Sequence, residues 1–244
     1  MILAILQGRL SSTRLPGKVL KDLHGKPMIL QQIERLNDSQ KIDKLVVATS
    51  VDPSDDELVY VLKEAGIEVR RGSLNDVADR FANVVEEFQP ETIVRLTADC
   101  PLTDPRIIDQ VISAHISSNA DYSSNTLKPT FPDGLDVECI SLNAFNRLLS
   151  LDLTRPEKEH VTLAIYSNPH KFELNSVVQT TDFSNLRWTV DVQEDLDFAR
   201  LVYGQLYDEN KHFGQSEILD LLQLHPEISR TDVEESRNSG LNKN

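Results

Sequence analysis

The chain opens Met1-Ile-Leu-Ala-Ile-Leu6 and passes Gln7 and Gly8 before its first charged side chain, Arg9. An apolar run without alternation belongs to a strand buried on both faces, the habit of parallel sheets covered by helices. With no basic region ahead of it and a charge so soon after, the run is expected to be neither a signal peptide nor a membrane span. Gly8, Ser11, Ser12, Thr13, Pro16 and Gly17 then favour turns and caps, so the first strand feeds a long loop.

Strand and helix patterns alternate from there. Pro27 suits the first turn of a helix over 28–36, residues 45–49 read as a second buried strand, and 55–65 as an amphipathic helix. A short strand over 67–70, a helix over 75–88, a strand over 92–97 and a helix over 104–117 continue the series. This pitch predicts an α/β fold, an open and mostly parallel sheet with helices on both faces, whose ligands gather at the carboxyl ends of the strands. Segment 121–143 breaks the alternation with Pro129, Pro132 and Gly134, then sets Leu135, Val137 and Cys139 against Asp136 and Glu138. It reads as a long loop feeding an antiparallel or edge strand. Further helices are expected over 142–151, 157–167, 195–207 and 216–224, with a strand over 186–190. Residues 1–228 form a single domain on this reading, and the polar stretch 229–244 a frayed tail. Cys100 and Cys139 make no disulfide framework. Reduced structural thiols are the default, a redox pair the alternative, and a cytoplasmic location the expectation.

A net charge of −14 opposes binding to duplex nucleic acid, which asks for a basic face. Yet residues 1–35 carry six basic side chains against two acidic ones, a local +4 in a chain that is otherwise −18. Inside a cleft such an island holds a small polyanion; on a solvated loop it holds nothing. Eight residues separate Gly8 from Gly17, and Val19 stands where the P-loop pattern G-x-x-x-x-G-K-[ST] needs a hydroxyl, so this loop is not one. It offers backbone N–H groups in a small-residue turn with Arg9, Arg14 and Lys18 around it, a chemistry suited to a triphosphate.

The run Arg95-Leu-Thr-Ala-Asp99-Cys-Pro101 ends a buried strand on a carboxylate. An Asp there can ligate Mg²⁺, which takes few protein carboxylates and completes its shell with phosphates. Asp104, ahead of Pro105, is the better cap for the next helix, which frees Asp99 for that role. Asp191 either joins Asp99 at a metal or caps the helix that follows it. His160, early in an amphipathic helix, is a core or capping residue on one reading and a site residue on the other. No Asp-x-Asp stands at a strand end, Asp191 being followed by Val192 and Gln193, which argues against a glycosyltransferase that consumes a nucleotide-sugar.

The run Gln7-Gly-Arg-Leu-Ser-Ser-Thr-Arg-Leu-Pro-Gly-Lys18, followed by Gly25-Lys-Pro-Met28, resembles the opening signature of the sugar-acid cytidylyltransferases, the group of CMP-Kdo and CMP-acylneuraminate synthetases. Arg71-Gly-Ser, Asp76-Val-Ala-Asp-Arg80, Arg95-Leu-Thr-Ala-Asp-Cys-Pro-Leu102, Asp133-Gly-Leu-Asp-Val-Glu138, Glu159-His-Val-Thr162 and Thr189-Val-Asp-Val-Gln-Glu-Asp195 follow. In that order they resemble the SpsF subfamily of spore-coat polysaccharide biosynthesis proteins, over roughly residues 1–205. The resemblance implies a Rossmann-like nucleotide-diphospho-sugar transferase fold and a homodimer built with part of 121–143. It also implies Mg²⁺-dependent transfer of CMP from CTP to a nonulosonic or Kdo-like sugar acid, with release of pyrophosphate, for surface polysaccharide. Carried over residue by residue, Arg9, Arg14 and Lys18 hold the phosphates, and Leu6 and Gly8 line the nucleoside pocket with Arg71. Asp99 and Asp191 ligate magnesium, Lys18, Arg14 and Asp99 act in catalysis, and Asp136, Glu138 and His160 face the sugar. Where the better-known sugar-acid enzymes carry Pro-Ala before the first Arg, this chain has Leu6-Gln7-Gly8, which leaves the base preference open. The alternatives are another nucleoside triphosphate, a non-acid sugar, or a non-catalytic nucleotide-sugar-binding subunit.

Overall fold

The computed structural model describes residues 1–231. Strand β1 (Ile2–Gln7) leads through the long loop into the small hairpin of β2 (Asp22–Leu23) and β3 (Lys26–Pro27) and then helix α1 (Met28–Leu36). After β4 (Lys44–Ser50) come α2 (Asp56–Glu64), β5 (Val69–Gly72), α3 (Val77–Phe88), β6 (Thr92–Thr97) and α4 (Pro105–Ser118). The remainder holds β7 (Tyr122–Ser124), β8 (Glu138–Ser141), α5 (Leu142–Leu149), α6 (Arg155–Glu159), α7 (Leu163–Tyr166), β9 (Leu174–Ser176), α8 (Gln193–Leu206) and α9 (Gln215–Leu224).

Seven strands form one sheet in the order β5-β4-β1-β6-β8-β7-β9. β1 runs parallel to both β4 and β6, and its side chains divide between two cores. Ala4 and Leu6 pack on one face with Met28, Ile33, Ile108 and Leu196, whereas Leu3 and Ile5 pack on the other with Phe81, Val84, Phe145 and Leu148. That double burial is what the unalternating first strand demands. β8 is antiparallel to β6 and to β7, as one of the two expectations had it, but it is interior, because β7 and β9 extend the sheet beyond it. The Asn125 amide fixes the return of the chain: its Nδ2 donates to the Leu135 carbonyl at 2.7 Å and its Oδ1 accepts from the Val137 amide at 2.9 Å.

Several expectations need correction. Residues 186–190 form no strand; they touch neighbours at single points, with bridges Asp133–Arg187 and Leu186–Thr231 and a bond from the Val190 amide to the Asp99 carbonyl of 2.8 Å. The close passage is permitted by Gly134, where a Cβ would come within 2.6 Å of the Trp188–Thr189 backbone. The helix expected over 157–167 is two short helices, because Val161 is buried and the Thr162 hydroxyl donates to Glu138 at 2.6 Å. Most of 121–143 is buried or half-buried in the fold of one copy, and Lys128, Pro129 and Asn143 are its exposed positions. Ser229 to Thr231, placed by sequence in the tail, are docked, since Arg230 donates to the buried Asp195 at 2.9 Å and its carbonyl accepts from Arg187. The rest of that expected tail lies outside the described residues. Among the described residues no helix is long and apolar enough to cross a membrane.

Candidate active site

A cleft of about 440 Å³ opens at the carboxyl ends of β1 and β6. The loop after β1 forms one wall, and its path is set by two features. At Gly8 a Cβ would lie 2.8 Å from that of Ala98, so only glycine lets the chain leave β1 so close to β6. Farther along, the Leu10 amide donates to Asp55 at 2.7 Å, a fully buried carboxylate that also takes the hydroxyl of Ser50.

At the floor of the cleft the Lys18 ammonium donates to Asp99 at 3.0 Å, to Asp191 at 2.9 Å and to the Val190 carbonyl at 2.7 Å. Asp191 also meets Arg14 at 2.9 Å and Arg187 at 2.8 Å. Burial opposes charge on Asp99, but the adjacent ammonium prevails and holds the carboxyl at about 2. Burial likewise works against the Lys18 charge, and the two carboxylates override it and raise its pKa. Asp191 does not cap α8: Val192 stands at the N-cap position, Asp195 accepts from the amides of Asp191 and Val192, and the Asp191 carboxylate is turned to the cations. Two carboxylates and a carbonyl around one positive centre form an oxygen donor set that fits a hard divalent ion. Among the described residues no three acidic, His or Cys side chains make a complete metal cage, so such an ion would depend on ligand oxygens as well.

Beside the cleft lies a second cavity of about 430 Å³, and Thr97 and His160 border both. Its wall carries Arg95, which donates to Gln7 at 3.0 Å and pairs with Glu138. The other Glu138 oxygen takes the hydroxyls of Tyr122 at 2.5 Å and Thr162 at 2.6 Å. Burial lowers the His160 pKa, which keeps the imidazole neutral at pH 7.

Of the residues singled out by sequence, Gly8, Arg9, Arg14, Lys18, Asp99 and Asp191 border the cleft, and Asp136 and Glu138 border the second cavity. His160 stands at the junction. Two are not brought there. Leu6 is wholly buried in the core, and Arg71 turns away to bond the carbonyls of Ser50 and Asp52 and to pair with Asp56 at 2.7 Å. Sequence reasoning passed over Arg80, which borders the cleft, and Arg187, which shares Asp191. For Arg80 a signal existed in the run Asp76-Val-Ala-Asp-Arg80; for Arg187 nothing local marked it.

Residues 3–225 match the cytidylyltransferase family. The spore coat polysaccharide biosynthesis protein SpsF of Bacillus subtilis is 34% identical over 240 residues, covering 93% of this chain and 96% of that protein. The 3-deoxy-manno-octulosonate cytidylyltransferase of Geobacter sulfurreducens is 35% identical over 129 residues, about half of each chain (52% and 50%). The solved structure of a cytidylyltransferase from Leptospira borgpetersenii superposes with a TM-score of 0.88 at 28% identity, covering 97% of this chain and 98% of that one.

Proposed function

We propose, for a chain that belongs to the cytidylyltransferase family, that it transfers CMP from CTP to a Kdo-like or nonulosonic sugar acid, as a cytoplasmic homodimer serving surface polysaccharide synthesis. The observation that carries this reading is the Lys18 ammonium held between Asp99 and Asp191 at the floor of a cleft that adjoins a second cavity. The names of the relatives support the nucleotide and the acid.

In this reading Arg9, Arg14 and Lys18 bind the triphosphate, and the second cavity holds the acceptor beside Asp136, Glu138 and His160. A hydroxyl of the sugar acid attacks the α-phosphorus. The new O–P bond forms as the bond to the β-phosphate breaks, pyrophosphate leaves with the electron pair, and the hydroxyl proton is lost to solvent. The chain's part is positioning and charge stabilisation, with Lys18 and Arg14 opposing the charge that gathers on pyrophosphate. Asp99 and Asp191 would hold Mg²⁺, which supplies further charge neutralisation when bound.

A pyrophosphate-release screen tests this, with four nucleoside triphosphates crossed against Kdo-like, neuraminate-like and neutral sugars. Turnover is expected with CTP and a sugar acid, and is abolished by EDTA. Activity confined to UTP or GTP, or to neutral sugars, overturns the substrate assignment. Binding of CTP without pyrophosphate release with any sugar favours a silent binding subunit.

A further inference from the structure

We propose that Arg80 reads the base of the nucleotide, as the donor to the acceptor edge of a cytosine ring. This rests on the cytidylyl-transfer reading and assigns a residue to a part of the ligand that the residues at the floor of the cleft leave unread.

Arg80 stands one turn into α3 and is only 3% exposed, yet it borders the cleft. Its Nε and Nη2 donate to the Ser73 carbonyl at 3.0 and 2.7 Å, and Nη2 also reaches the Leu74 carbonyl at 3.2 Å. Among the described residues Nη1 has no protein partner, and no carboxylate forms an ion pair with this guanidinium. Burial and the neighbouring Arg9 charge lower its pKa and outweigh the opposing pull of the Asp55 carboxylate. A buried guanidinium without a full set of acceptors is costly and is kept where something else completes it. The surrounding backbone makes room for it. At Gly72 a Cβ would lie 2.9 Å from the Arg80 Cγ and 3.1 Å from its Cα, so the Arg71-Gly-Ser and Asp76-Val-Ala-Asp-Arg80 motifs form one device that seats a guanidinium. Asp76 fixes the start of α3 by accepting from the Asp79 amide at 2.9 Å.

Position selects the base over the phosphates. In the order β5-β4-β1-β6, α3 packs on β4 and β5, whereas Asp99 follows β6 on the other side of β1. With phosphates drawn to Lys18 beside Asp99, the nucleoside end falls toward α3, where the nearly buried Val77 offers an apolar wall next to Arg80. Cytosine presents two adjacent acceptors, N3 and O2, while uracil carries a hydrogen on N3. A guanidinium has only donors, and this one is pinned by carbonyls rather than free to follow a phosphate. A buried donor left unmatched by the wrong base is a strong basis for discrimination.

Calorimetric titration of the full-length chain with CTP, CMP, UTP and inorganic pyrophosphate tests the assignment. For Arg80→Lys and Arg80→Met, CTP and CMP are expected to bind about 10- to 100-fold more weakly. The preference for CTP over UTP should collapse while pyrophosphate affinity stays unchanged, which also shows that the cleft is intact. Gly72→Ala, which displaces the guanidinium without removing it, should erode the same preference. Pyrophosphate binding weakened as much as CTP binding would make Arg80 a phosphate ligand and overturn the proposal. Nucleotide affinities that stay unchanged while only the melting temperature falls would overturn it as well. A wild-type chain that binds CTP leaves the cytidylyl-transfer reading standing through either of those failures, whereas one that binds no nucleotide removes both.

Discussion

Two clusters of carboxylate and cation sit on neighbouring strand ends, and they are built differently. In the first, Lys18 and Arg14 reach Asp99 and Asp191 from the loop after β1, and Arg187 joins them from outside the sheet. In the second, Arg95 on β6, Glu138 on β8 and Tyr122 on β7 face one another across paired strands, and Thr162 closes the set. The Asp99 side chain is 27% exposed and that of Glu138 9%. Charges carried on loops at a cleft can be handed to an arriving polyanion and its cation, since each protein contact has a replacement in the ligand. Charges pinned between strands have no such replacement and serve to hold a side chain still. At the edge of the cavity proposed for the acceptor, Glu138 is therefore expected to serve chiefly by positioning Arg95.

Removing Glu138 should do the most damage. Glu138→Gln leaves Arg95 buried without its counter-ion, and the expected loss of folding stability is about 3–5 kcal/mol, read from denaturant midpoints. Unchanged stability with a raised KM for the acceptor would break the comparison and return Glu138 to the sugar. Asp99→Asn should behave oppositely, lowering turnover about 10²- to 10³-fold while Lys18 keeps Asp191 and the Val190 carbonyl. Its cost in stability is about 2 kcal/mol at neutral pH. The sign follows from the depressed carboxyl: the charged form favours the folded state above its ordinary 3.8, and that contribution fades as pH falls to about 2. The stability gap between variant and wild type is therefore expected to narrow across that window. Normal turnover by Asp99→Asn would remove the first cluster from the chemistry.

The sequence reports what local pattern can carry. An unalternating β1 announces burial on both faces, and the cations of the loop after it, with the acidic strand end at Asp99, mark the cleft. Residues 186–190 look like a strand, and Trp188 and Val190 are buried in the core at 1% and 0% exposure, yet the backbone there meets Asp133 and Asp99 only at single points. Apolar periodicity through 157–167 was blind to the bond by which Thr162 leaves the helix for Glu138. Asp55 escaped notice for a similar reason, because its partner is the backbone amide of Leu10, 45 positions earlier. Arg187 is a buried cation whose place in the first cluster is legible only beside the carboxylates it touches.

Arg71 gives the smallest expected effect and a sharp test of the geometry. The resemblance puts it in the nucleoside pocket, whereas the structure gives its guanidinium to the carbonyls of Ser50 and Asp52 and to Asp56, with side-chain exposures of 30% and 63% for the ion pair. A pair so open to water is worth about 0–1 kcal/mol, so Arg71→Ala should lower stability only slightly. It should leave kcat/KM for CTP within about twofold, a change below 0.5 kcal/mol on the scale where 1.36 kcal/mol is tenfold. A large rise in KM for CTP would mean that the ends of β4 and β5 close over the nucleotide and bring Arg71 inward. Because α3 packs on those same strands, Arg80 would then move with them, and the pocket seen here would be the open form of a site that completes itself around the base.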